Sequence, residues 1–213
     1  MPKLRTLLVL LLFSHFATAQ TALLASATRL DSAAHARSVL AFQRDLNREF
    51  SDPKESPLTL PQRQAFTSLP YYPIGYGYYV VARLVRDSTA QPFAMRTSTD
   101  RRPPYRKYGT LHFTLRGQAL TLSVYQSLDL LSRPGLADYL MVPFTDLTNG
   151  NGSYGGGRYL DLRQPPAGST IMLVDFNRAY NPSCAYNHAY SCPVPPAENQ
   201  LPVAVPAGVR IAQ

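Results

Sequence analysis

Three aspartates, Asp146, Asp161 and Asp175, recur at separations of 15 and 14 residues, about the spacing from one strand through a turn to the next. Each falls at a strand end or just beyond it, so the three could converge on one rim. With Glu198 they make a carboxylate set of the kind glycoside hydrolysis uses, where one acid protonates the leaving oxygen and another attacks or activates water. Envelope or dietary glycans are the substrates such an enzyme would meet. The competing reading is that strand-end aspartates accept turn and capping hydrogen bonds.

The segment Asp175 to Tyr186 concentrates amide, carboxylate and phenol groups. Set beside the Arg158 to Asp161 strand, it suggests a pocket for a small polar or carbohydrate-like ligand, contacted by Arg158, Tyr159, Asp175, Asn177, Tyr180 and Asn181. In that reading Arg158, Asn177 and Asn181 orient the ligand. The same side chains also suit a structural or interaction module, because Asn and Asp hold irregular chain in place by bonding to backbone groups.

Cofactor signals fail on inspection. Gly150-Asn151-Gly152-Ser153-Tyr154-Gly155 spells the dinucleotide fingerprint, but that motif works only ahead of a helix. Here Gly155-Gly156-Gly157 and the alternating Arg158-Tyr159-Leu160-Asp161-Leu162 point to a loop and a strand. Asp146, Asn149 and Asn151 offer oxygens to calcium, yet one carboxylate without a bidentate Glu makes a weak cage. No cofactor and no metal is expected. Arg96, Arg101, Arg102, Arg106 and Lys107 crowd one window, which reads as a solvated loop or an anion contact.

Cys184 and Cys192 are the chain's two cysteines, with seven residues between them. In an oxidising compartment they can pair, and closing so short a loop would stabilise the fold by about 2–3 kcal/mol in the chain-entropy model. A buried free pair, a nucleophilic thiol, or a metal site with His188 are the other readings; the last lacks a fourth ligand.

The compartment is legible at the N-terminus. Lys3 and Arg5 precede the apolar run Leu7 to Phe13, and Ala17-Thr18-Ala19 is acceptable to a signal peptidase. Residues 1–19 thus read as a signal peptide and Gln20 as the first mature residue, giving a periplasmic or secreted protein. The run is too short to span a bilayer. The formal charge of +8 falls to +6 when Lys3 and Arg5 leave with the leader. Nucleic acid is a poor partner for an exported chain of this modest basicity.

These groups need a scaffold. With 19 Pro, 12 Gly and 14 Tyr in 213 residues, the composition favours short strands and stiff turns over long helices. Val39, Phe42, Leu46 and Phe50 repeat at intervals of three and four, which predicts an amphipathic helix over about 32–50. A helical turn is expected from Pro61 to Phe66. Strands are expected at Tyr76–Arg86, Phe93–Thr97, Tyr108–Leu115, Ala119–Gln126, Tyr139–Phe144, Arg158–Leu162, Ser169–Asp175 and Pro202–Val205, with a hairpin at Arg116-Gly117-Gln118. The expected fold is mainly β: a single domain over 20–213 whose antiparallel sheet, about 76–206, forms a sandwich or partial barrel with the helix packed on it.

Thr145-Asp146-Leu147-Thr148, Gly155 to Asp161, Asp175 to Pro182 and Cys192-Pro193-Val194-Pro195-Pro196-Ala197-Glu198-Asn199 together resemble an uncharacterised bacterial family, domain of unknown function 1684. The resemblance covers roughly Phe42 to Gly208. It implies a single domain and carries no catalytic roles. Where the family often has an acidic residue after the terminal Ala-Gly, this chain has Val209.

Overall fold

The structure is a computed structural model that describes residues 29–211. The signal-peptide reading of 1–19 lies outside the described residues. The fold described here is that of the compact unit beginning at Ser32.

Helix α1 spans Ser32–Ser51 and buries His35, Val39, Leu46 and Phe50, a stripe at the helical period. A short helix α2, Leu60–Ala65, opens with Pro61 inside a capping box between Thr59 and Gln62. Seven strands follow: β1 Tyr79–Arg86, β2 Phe93–Ala94, β3 Pro104–Leu115, β4 Gln118–Ser127, β5 Tyr139–Phe144, β6 Arg158–Arg163 and β7 Ile171–Asp175. They form one antiparallel half-barrel in the order β6-β5-β4-β3-β1-β7, with β2 paired to β3. A sandwich would need a second sheet, and the described residues make one. The two ends of the curl meet: Tyr159 of β6 exchanges both backbone hydrogen bonds with Tyr180 beyond β7, at 2.9 and 3.1 Å.

The β3–β4 hairpin turns where the alternation predicts it. Arg116 and Gly117 both take positive φ (51° and 80°), as a two-residue turn with the right twist requires. Its strands alternate inward Leu111, Phe113, Leu115 and outward His112, Thr114. β3 starts at Pro104 rather than Tyr108, because a bulge between Lys107 and Gly109 lets pairing resume upstream. The strand expected at Phe93–Thr97 shortens to two residues.

The main core lies on one face, with Leu84, Leu111, Leu122, Val124, Leu140, Val142 and Phe144 packed on Phe176, Leu201 and Val205. Pro202–Val205 is not a strand: Pro202 and Pro206 have no N–H to give a ladder, and Val205 donates its own to Asp146 Oδ1 at 3.1 Å. The tail is stitched to the sheet instead by the buried Asn199, whose amide serves Ser123 N (2.7 Å), Ser123 O (2.8 Å) and Pro143 O (2.7 Å). On the other face Tyr105, Tyr125, Met141 and Tyr159 pack with Met95, Cys184 and Cys192. A third cluster joins Leu46 and Phe50 of α1 to Leu69 and Val209.

Candidate functional site

Arg158 opens β6 and is fully buried. Its Nη2 meets Asp146 Oδ2 at 2.7 Å and Val205 O at 2.8 Å, while Nη1 donates to Ala207 O. The other oxygen of Asp146 accepts Thr148 N (2.8 Å) and Val205 N (3.1 Å). The pair therefore ties the turn after β5 and the start of β6 to the C-terminal tail. Both carboxylate oxygens and both terminal guanidinium nitrogens are bonded, while Arg158 Nε is left without a partner; an interior tolerates a pair so held.

Asp175 closes β7 and anchors α1. His35 Nε2 sits 2.9 Å from Asp175 Oδ2, with its ring stacked on Tyr79 at 4.5 Å between centroids. Asp175 Oδ1 accepts Asn177 N (3.1 Å) and Asn177 Nδ2 (2.8 Å). Asn177 in turn clamps Gly75, accepting its N–H at 2.8 Å and donating to its carbonyl at 2.9 Å. Sequence reasoning missed His35, since its partner stands 140 residues away.

Asp161 and Glu198 are more open. Asp161 Oδ1 accepts both Tyr139 and Tyr180 hydroxyls at 2.7 Å. Protein crowding raises its pKa, outweighing the two phenols and Arg163, which pull it down. Glu198 Oε1 takes Tyr125 OH at 2.6 Å and Lys107 Nζ at 3.3 Å. The Tyr125 bond leads the causes that hold its pKa below the ordinary range. Asp146, Asp161, Asp175 and Glu198 thus sit in four settings that share no hydrogen-bond partner.

Cys184 and Cys192 are buried thiols side by side, Cys184 N donating to Cys192 Sγ at 3.2 Å. Burial pushes the Cys192 thiol up to about 11. Tyr159 packs beside them and donates its hydroxyl to Pro193 O. Among the described residues no three His, Cys, Asp or Glu side chains are grouped to hold a metal ion. In the basic window, Arg106 spends two nitrogens on Gln126 Oε1 (2.9 and 2.7 Å) and Lys107 faces Glu198.

Asn181 leads to a groove. A hollow of about 490 Å³ runs between the stretch Leu58 to Pro70 on one side and Asn181, Ala185 and Tyr186 on the other, with Tyr154 and Arg210 completing it. Its walls are mostly apolar, from Leu58, Phe66, Leu69 and the tyrosine rings. Chain geometry makes the C-terminal floor tight: Gly208 (φ +78°) passes so close to Ala179 O that an added Cβ would come within 2.4 Å. Its carbonyl accepts Tyr72 N at 2.9 Å, and Arg210 N donates to Pro70 O at 2.9 Å.

Three polar groups of this groove are under-used. Asn181, only 4% exposed, donates Nδ2 to Tyr186 OH (3.1 Å) and Arg210 O (3.4 Å), while its Oδ1 has no partner. Burial pushes the Tyr186 phenol up to about 12, so it stays neutral. Arg210 lies over the Tyr72 ring at 5.2 Å. No acidic side chain among the described residues pairs with it, and its Nε is buried without an acceptor. Of the residues singled out from sequence, Asn181 lines this groove; Arg210, a lone charge between Val209 and Ile211, gave no pattern to read.

Comparison with known proteins gives a family and similar solved structures. The family model described as "Protein of unknown function (DUF1684)" matches residues 64–210. The solution NMR structure of an uncharacterized protein from Haloarcula marismortui is similar, at 34% identity and a TM-score of 0.67, over 85% of this chain and 96% of that one. No curated protein matches.

Proposed function

We propose, for a chain that belongs to the DUF1684 family of proteins of unknown function, that it is a binding domain for a small organic ligand held in the groove between Leu58–Pro70 and Asn181–Tyr186. A leader at 1–19 would deliver it to the periplasm or beyond, where that ligand is met. Supporting this reading is the groove itself: about 490 Å³ falls within the range of small-molecule sites. The observation that carries it is the lining of that hollow, where Leu58, Phe66, Leu69 and Tyr186 present apolar surface beside Gln62, Ser68 and Arg210.

The ligand this groove suits has an apolar or ring face for Phe66, Tyr154 and Tyr186 and a polar end for the Gln62, Ser68 and Arg210 side of the lining, a description that includes carbohydrates. Arg158, Asp175 and Asn177 then serve as the braces that keep the Asn181 wall in place.

The test is thermal shift against sugars, amino acids and small organic acids, on the wild type and on Ala65→Trp. Ala65 is exposed and lines the groove, so the larger side chain fills the hollow without disturbing the core. Saturable stabilisation of the wild type that is absent in Ala65→Trp is the expected result. A panel that shifts neither protein, or both equally, overturns the reading.

A further inference from the structure

We infer a second binding site, separate from the groove above: the open end of the half-barrel takes a small molecule that ends in a carboxylate, and Arg86 holds that end.

The loop Gln164 to Thr170 joins β6 to β7, which stand at opposite ends of the strand order, so it crosses the end of the half-barrel. Against it lies a hollow of about 430 Å³, lined by Arg86 at the end of β1, Tyr108 of β3 and the loop itself. Barrel mouths are common places for small-molecule sites. The loop is stiff: Pro165 and Pro166 each fix a φ angle, and Ser169 N donates to Pro166 O at 3.0 Å across a turn whose third residue, Gly168, takes φ +81°. Little ordering is then needed to receive a ligand.

Arg86 supplies the charge and is held in a set orientation. Its Cζ lies 3.5 Å from the centre of the Tyr108 ring, and its Nη1 donates to the Tyr108 hydroxyl. That hydroxyl donates in turn to Gln164 Oε1 at 3.2 Å. Tyr108 is 2% exposed and belongs to the main core, so the guanidinium rests on a fixed platform. Arg86 itself is exposed, and no acidic side chain among the described residues pairs with it. Asp87, next in the chain, is spent on Thr89, accepting its N–H at 3.1 Å and its hydroxyl at 2.9 Å. An oriented planar fork with donors to spare matches an oxyanion, which accepts two parallel N–H bonds. One fixed cation balances one negative charge, which favours a carboxylate over a phosphate group carrying nearly two. Pro165, Pro166 and Ala167 line the same hollow and offer apolar surface to the rest of the molecule.

Three probes that share a phenyl ring test this: 3-phenylpropionate, 3-phenylpropan-1-ol and 2-phenylethyl phosphate. Binding to the full chain is followed by heteronuclear NMR at the amides of Ala167, Gly168, Ser169 and Thr170, and the titration gives Kd. The acid should bind tightest and the alcohol at least about tenfold weaker, since bonds to charged groups exceed neutral ones. Arg86→Gln should weaken the acid at least about tenfold and leave the alcohol as it was. Arg86→Lys, which keeps the charge and loses the fork, should fall between. A matching melting temperature shows that each variant folds. Ala65→Trp, which fills the groove, should leave every Kd unchanged. Equal binding of acid and alcohol, tighter binding of the phosphate, or acid binding that survives Arg86→Gln overturns the inference. So does an acid that moves none of the four amides, or one whose binding is lost in Ala65→Trp and so belongs to the groove. Failure at Arg86 leaves the groove reading standing, because that reading is decided at Ala65.

Discussion

Nη2 of Arg158 lies 2.7 Å from Oδ2 of Asp146, and neither side chain reaches solvent. The same guanidinium holds the carbonyls of Val205 and Ala207, and Asp146 holds the N–H of Val205. One ion pair thus fastens the tail that leads to Arg210 onto the half-barrel. Its strength is conditional: paired charges are tolerated inside a protein, whereas one left alone is not.

Arg158→Met should therefore destabilise the fold by about 3–5 kcal/mol, because the Asp146 carboxylate stays buried without its cation. Arg158→Met combined with Asp146→Asn should cost less than Arg158→Met alone, since Asn keeps an oxygen for Thr148 N and Val205 N. Urea denaturation of the three proteins measures this. A loss of about 1 kcal/mol or less, the worth of a surface pair, contradicts the assignment.

Asp161 and Glu198 should contribute to pH-dependent stability with opposite signs. The pKa of Glu198 is lowered from 4.5, chiefly by the Tyr125 hydroxyl. The folded state binds that proton less tightly than the unfolded chain, so Glu198 adds stability above the unfolded value and loses it as pH falls through the lowered one. Asp161 is raised from 3.8 by the protein crowded around its carboxyl. Here the folded state holds the proton more tightly, and stability is lost as pH rises from the unfolded value through the raised one. Carbon-detected NMR titration should place Asp161 above 3.8 and Glu198 below 4.5, with Tyr125→Phe moving Glu198 upward and leaving Asp161 in place. Two carboxyls titrating at their ordinary values would refute both shifts.

The thiol pair and the leader are checked by one mass measurement. The proposal of a leader at 1–19 predicts that chain recovered after export begins at Gln20, and the proposal that the two adjacent thiols oxidise there predicts a mass two hydrogens below that of the reduced form. Reduction should then lower stability by about 2–3 kcal/mol. Two thiols that react with iodoacetamide in denaturant without prior reduction, or an uncleaved N-terminus, would show that this expectation fails.

Local patterns carried far in this chain. The stripe Val39, Leu46, Phe50 specified α1, because a helix has one period and its apolar positions announce it. The alternation Leu111, Phe113, Leu115 and the turn glycine Gly117 specified the β3–β4 hairpin, where partners are neighbours in sequence. The resemblance to the family rested on contiguous motifs and came through for the same reason. What a linear reading could not assign was which polar groups are spent on each other. Arg158 finds its carbonyls 47 and 49 residues downstream and His35 its carboxylate at 140. Nothing in either neighbourhood encodes the distance. Curling the sheet until Tyr159 meets Tyr180 closes β6 on the segment after β7, and Arg210 comes to line an apolar groove with no ion pair among the described residues. Hydrogen bonding is settled by separations of about 3 Å in space, so composition and periodicity determined the elements, and only the folded chain decided which of their side chains remain free to act.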